Sequence, residues 1–155
     1  MIKLNIIYDS RIAANRVVRG KKGFVEIQRS SIQAVGRRAT STLKNISPRK
    51  TGSFANSWRF RTSTFGDSYE LSVQNTDPKA SWIVEGTEPH FIFPKNGKAL
   101  KFQSNEGGDD IFAAYVLHPG TEPNDLFGKL DRDPGFRGSV ENIFDREVRR
   151  FALTL

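Results

Sequence analysis

The chain has no cysteine, one methionine and two histidines among its 155 residues. That excludes disulfides, thiolate metal sites and a cysteine nucleophile, so stability must come from a packed core and from partners. No stretch approaches the roughly 20 apolar residues of a membrane span, and no charged-then-apolar signal region opens the chain. The expectation is a soluble protein made in the cytoplasm, with no membrane partner. There is no Gly-rich loop leading into Lys-Ser/Thr and no Gly-x-Ser-x-Gly elbow, which excludes the common nucleotide-binding and hydrolase signatures.

Acidic residues are scarce in the first 65 positions, where only Asp9 and Glu26 stand against 14 Lys and Arg, a net of +12. Residues 66–130 reverse this with 10 acids against 5 bases, and residues 131–155 balance, which returns the overall +7. A basic segment followed by an acidic one suits a subunit that packs head-to-tail on its own copies. It also admits sequence-independent contact with DNA through Arg19, Lys21, Lys22, Arg37, Arg38, Arg49 and Lys50. Alternation puts Trp58 and Phe60 on one strand face and Arg59 and Arg61 on the other, which favours core packing of the aromatics over base stacking.

A chain of this size reads as one domain over residues 1–155, burying roughly 70% of its unfolded surface. Ile2, Leu4, Ile6 and Tyr8 mark a strand, and a short helix over 12–18 ends in a breaker at 19–23. The clearest helix follows, with Val25, Ile32, Ala39 and Ile46 recurring every seven residues and Val35 and Leu43 filling the same stripe. Pro48 ends it. Residues 58–62 and 69–73 form a hairpin about Gly66-Asp67, and Asp77-Pro78 opens a short helix closed by Gly86. A strand at 91–93 is expected to turn through Asn96-Gly97 into a return strand over 99–102, with one further strand over 111–117. Residues 105–110 read as a projecting acidic loop, residues 1–23 as an N-terminal extension, and 124–138 as an irregular insertion. Ser139 is expected to cap a last helix striped by Val140, Ile143, Phe144, Val148 and Phe151. The predicted class is α+β, an antiparallel sheet of four or five strands packed against the long helix, with a C-terminal helix.

Three motifs stand out in order. The first is Ser47-Pro48-Arg49-Lys50-Thr51-Gly52, running on to Ser57-Trp58. The second is Trp82-Ile83-Val84-Glu85-Gly86-Thr87 with His90 and Lys98-Ala99-Leu100, and the third is His118-Pro119-Gly120-Thr121. Pro48, Thr51 and Gly52 read as a helix stop, a turn hydrogen bond and a positive φ. Gly86-Thr87-Glu88-Pro89 recurs at Gly120-Thr121-Glu122-Pro123, with a histidine beside each copy. His90, His118, Glu85 and Glu122 are suitable metal ligands by type, but without an i, i+4 histidine pair two echoing turns at one end of the sheet are favoured over a metal site. No catalytic residue and no cofactor is assigned.

Together, over residues 31–123, these motifs resemble the tail-completion (head–tail joining) family of tailed bacteriophages. Pro48, Thr51, Gly52 and Ser57 match that family's first motif, and Trp82, Glu85, Gly86, Thr87, His90 and Leu100 its second. The resemblance implies a non-enzymatic virion protein of the neck, forming a ring that completes the tail tube and joins it to the head connector. It implies a hexamer and contacts with the connector or stopper and with tail tube or terminator proteins; non-specific contact of the basic residues with passing DNA is a secondary reading. A head-proximal adaptor ring and a DNA-binding protein are the alternatives. The N-terminal strand and residues 124–138 depart from the family pattern.

Overall fold

The computed structural model describes residues 2–8, 21–65, 68–103 and 108–152, with side chains described within 25–64, 69–103 and 108–150. The strands are β1 (Ile2–Tyr8), β2 (Trp58–Phe65), β3 (Ser68–Asn75), β4 (His90–Ile92), β5 (Leu100–Gln103), β6 (Asp110–Ala113) and β7 (Val116–His118). The helices are α1 (Lys21–Ile46), α2 (Ser53–Asn56), α3 (Ala80–Val84), α4 (Leu126–Arg132) and α5 (Pro134–Ala152). The fold is α+β. The chain forms two compact units, a larger one of Met1–Ser81 with Asp125–Leu155 and a smaller one of Trp82–Asn124.

In the larger unit, β3 lies between β1 and β2 in an antiparallel sheet. Tyr69, Leu71 and Val73 alternate along β3 and are buried, as a period-2 pattern requires. Helix α1 packs on β2 and β3 and also on α4 and α5. Burial from more than one direction explains why its inner surface is wider than the expected stripe. Ile32, Val35, Ala39 and Leu43 are buried, but so are Gln28, Ser31 and Thr42, while Val25 is 49% exposed. Small residues allow the close approach. A Cβ at Gly36 would lie 2.4 Å from the ring of Phe60.

The helix stops where Pro48 predicts. The buried Ser47 hydroxyl donates to the Leu43 carbonyl at 2.6 Å and accepts from Trp58 Nε1 at 2.9 Å, tying the end of α1 to the start of β2. Asn75, fully buried at the end of β3, donates through Nδ2 to the Phe54 carbonyl and accepts through Oδ1 from the Asp77 N–H, both at 2.9 Å.

The smaller unit holds two separate ribbons, β4 with β7 and β5 with β6. A single sheet of four or five strands is therefore not formed; the described strands make one three-stranded and two two-stranded sheets. The expected hairpin at Asn96-Gly97 is also corrected. A two-residue primed turn of that type needs positive φ at both central residues. Neither residue has it, and β4 pairs with β7 instead. The strand expected over 111–117 is two strands, broken at residues 114–115 and joined to different partners.

The breaker expected at 19–23 does not hold at its C-terminal end, since α1 already begins at Lys21. Residues 124–138 are not irregular either. Asp125 caps α4 by accepting from the Gly128 N–H at 2.8 Å, and Pro134 opens α5, with Asp133 Oδ1 accepting from the Phe136 N–H. Proline fits the first helical turn, where no N–H partner is needed. Ser139 thus lies inside α5 rather than capping it. The expected helix over 12–18 and residues 105–107 of the expected loop lie outside the described residues, and the loop ends one residue early because Asp110 already opens β6.

Two caps make stability sensitive to acid. The Lys79 N–H, with the Ser53 hydroxyl, holds the Asp77 carboxyl below its ordinary range. The Gly128 N–H, with Arg132, does the same at Asp125. A folded-state pKa below the unfolded value of about 3.9 gives a contribution present above that value and lost as pH falls through the folded one. The urea midpoint should therefore fall below about pH 4, and Asp77→Asn/Asp125→Asn should flatten that fall. An unchanged profile in the double variant would show that other carboxyls control it.

Candidate functional site

The echoing Gly-Thr-Glu-Pro segments face each other. Thr87 and Thr121 form an antiparallel bridge, each N–H donating to the other's carbonyl at 3.0 Å. Gly86 and Gly120 hold φ of 76° and 90°. A Cβ on Gly86 would sit 2.4 Å from the Thr121 carbonyl oxygen, and one on Gly120 would sit 2.2 Å from that of Thr87. Each glycine is thus required by its own backbone angle and by the backbone of the other copy.

The bridge continues into the β4–β7 ribbon, where His90 pairs with His118. Their rings stack, centroids 5.1 Å apart and planes 29° from parallel. The Gly120 N–H donates to His118 Nδ1 at 3.1 Å, and His90 Nδ1 lies 2.9 Å from the Glu88 carbonyl. His118 therefore presents an unprotonated Nδ1 to its turn, whereas His90 donates from Nδ1 to its own. Among the described residues no group of three or more His, Cys, Asp or Glu side chains is placed to hold a metal ion. The pair is arranged as a clasp.

Beyond the clasp the smaller unit has no core of its own. None of its described side chains is buried, yet among the described residues it carries nine of the ten exposed large hydrophobics. Phe91 (56% exposed), Phe93 (63%) and Tyr115 (57%) form one surface cluster with ring centroids 5.5–6.2 Å apart. Trp82 on α3 and Phe112 on β6 are also exposed. Sequence reasoning missed this cluster. The signal available was Phe91-Ile92-Phe93 and Ile111-Phe112, which place apolar residues on both faces of a strand when a two-stranded ribbon has cover for one face at most.

The larger unit carries an apolar groove of about 490 Å³ among α1, α4 and α5, lined chiefly by Val35, Phe127, Leu130, Phe136 and Val140. Elsewhere Arg37, Lys44 and Arg59 converge on a polar hollow of about 290 Å³. Trp58 is buried and the Phe60 ring lies against Gly36, so these two aromatics pack against the fold rather than presenting free faces to bases.

The remaining motif residues occupy separate places. Exposed Pro48 and Lys50 follow α1, and Arg49 donates to the Lys44 carbonyl at 3.3 Å. Thr51 Oγ1 accepts from the Ser53 N–H at 3.4 Å, Gly52 has φ 80°, and Ser57 donates to the Ser53 carbonyl at 2.9 Å. Glu85 is exposed, Pro119 precedes the positive-φ Gly120, and Leu100 opens β5 opposite Ala113. Arg38 is exposed on α1, where Lys21 and Lys22 occupy the first turn; Arg19 lies outside the described residues. No family model, curated protein or solved structure matches the chain.

Proposed function

We propose that this chain is a structural, self-assembling virion protein of the phage neck, forming a ring that completes the tail tube and joins it to the head connector. The observation that carries the assembly part is the smaller unit: exposed aromatics, no buried described side chain and two ribbons whose outer edges pair with no other described strand. Exposed apolar clusters of this kind mark interaction surfaces, and open strand edges are normally covered. The neck assignment rests on the ordered motifs, whose residues supply the reciprocal glycine clasp and the Gly52 turn after α1. The reading assigns no chemistry to the chain, and its ligands are other protein subunits.

Charge supports self-association. The smaller unit has 3 lysines against 6 acidic residues, a net of −3, and the rest has 21 basic against 11 acidic residues, a net of +10. Exposed pairs across an interface are screened over about 8–10 Å at near-physiological ionic strength. Native mass measurement of the purified protein should show a ring at low salt that weakens as salt rises. A protein that is monomeric both at low salt and in purified virion necks would overturn this reading.

A further inference from the structure

We infer that the subunits join head-to-tail, with the Phe91–Phe93–Tyr115 cluster of one copy seated in the α1–α4–α5 groove of the next. This inference rests on the self-assembly reading and goes beyond it by naming the two surfaces that meet. The occupant is a second copy because each chain carries both halves of the contact. The cluster is a projecting apolar knob of three touching rings. The groove is lined by Val35, Phe127, Leu130, Phe136 and Val140, with Asp131, Arg137 and Glu141 beside them, and its volume of about 490 Å³ falls within the size that encloses a drug-sized ligand, roughly 300–1,000 Å³. It therefore has room for more than one ring.

Long-range charge favours the same pairing. The knob lies on a unit of net −3 and the groove on one of net +10, so at long range the two unlike units attract and like units repel, while at the groove itself Arg137 stands beside Asp131 and Glu141. Two different patches on each subunit make a heterologous contact, the kind that closes into a ring when its rotation allows. Tyr and Phe anchors in an apolar recess are also the usual bearers of binding energy.

The absence of cysteine makes a clean test possible in the full-length chain. Phe93→Cys and Val140→Cys are prepared separately, then mixed under mild oxidation at low salt. The expected result is a disulfide-linked dimer in the mixture and none from either variant alone. If Val140→Cys fails to fold, Glu141→Cys on the same groove replaces it. Phe93→Glu is expected to weaken self-association by at least about 30-fold, the size of an aromatic hot spot. Dimers from Phe93→Cys alone would show a symmetric contact and overturn the proposal. So would assembly of the two variants in the mixture with no cross-link between them, or a Phe93→Glu variant that assembles as wild type, either of which leaves the self-assembly reading intact. Wild-type protein that never self-associates would overturn both.

Discussion

Replacing Gly120 with alanine should open the clasp and cost about 2–5 kcal/mol, the sum expected from a left-handed L-residue and from steric overlap in packed structure. The overlap is with backbone, not with a side chain that can swing aside: the new Cβ would lie 2.2 Å from the Thr87 carbonyl oxygen and 3.0 Å from the Glu88 carbonyl carbon. Relief requires Thr87 and Thr121 to separate, which breaks both of their 3.0 Å hydrogen bonds. Gly108 supplies the control. It has a similar φ of 74° and no described residue within 4 Å of its Cβ position, so Gly108→Ala should lose only the conformational part, about 1–2 kcal/mol. Hydrogen exchange is the measurement. Gly120→Ala should lose protection at Thr87 and Thr121 while the β3 amides keep theirs. Equal losses in the two variants would mean that the close approach contributes nothing.

Asn75→Ala should be comparably damaging, at about 2–5 kcal/mol, because it leaves two backbone groups unpaired at about 1–3 kcal/mol each. Phe54 would lose the donor to its carbonyl and Asp77 the acceptor for its N–H, beneath a side chain that is itself 0% exposed. The residue fastens α2 and the segment leading to α3 onto the last position of β3. Asn75→Asp tests which role dominates. It keeps the acceptor but sets a buried carboxylate against the Phe54 carbonyl, so it should be the less stable of the two at neutral pH. Urea midpoints decide. If Asn75→Asp is as stable as wild type, the Nδ2 contact is dispensable.

Much of the larger unit was legible because its periodicities are satisfied locally. Tyr69, Leu71 and Val73 face inward as alternation requires, and Pro48 stops α1 where a proline must. The polar half of α1's inner surface was not legible. Gln28, Ser31 and Thr42 are buried because α4 and α5 pack on that helix, a tertiary fact that heptad spacing does not encode. The smaller unit was misread for a related reason. Asn96-Gly97 is a strong local turn signal, but β4 takes its partner from 28 residues on, with His90 opposite His118, and the echo of Gly-Thr-Glu-Pro was the better guide to pairing. Helix α4 was hidden by Gly and Pro that looked like loop residues. Asp125 and Asp133 turn those same residues into helix starts.

The ladder that joins Ile83 to Asn124, Thr87 to Thr121, His90 to His118 and Ile92 to Val116 makes residues 93–115 a detachable cassette. Its two ends are already held together by backbone pairing, so the remaining chain need not be of fixed length. Doubling a loop closed in this way costs only about 0.6 kcal/mol. The cassette can therefore be lengthened, shortened or exchanged while the helices and three-stranded sheet are left untouched. The same stem offers an engineer a place to graft foreign sequence.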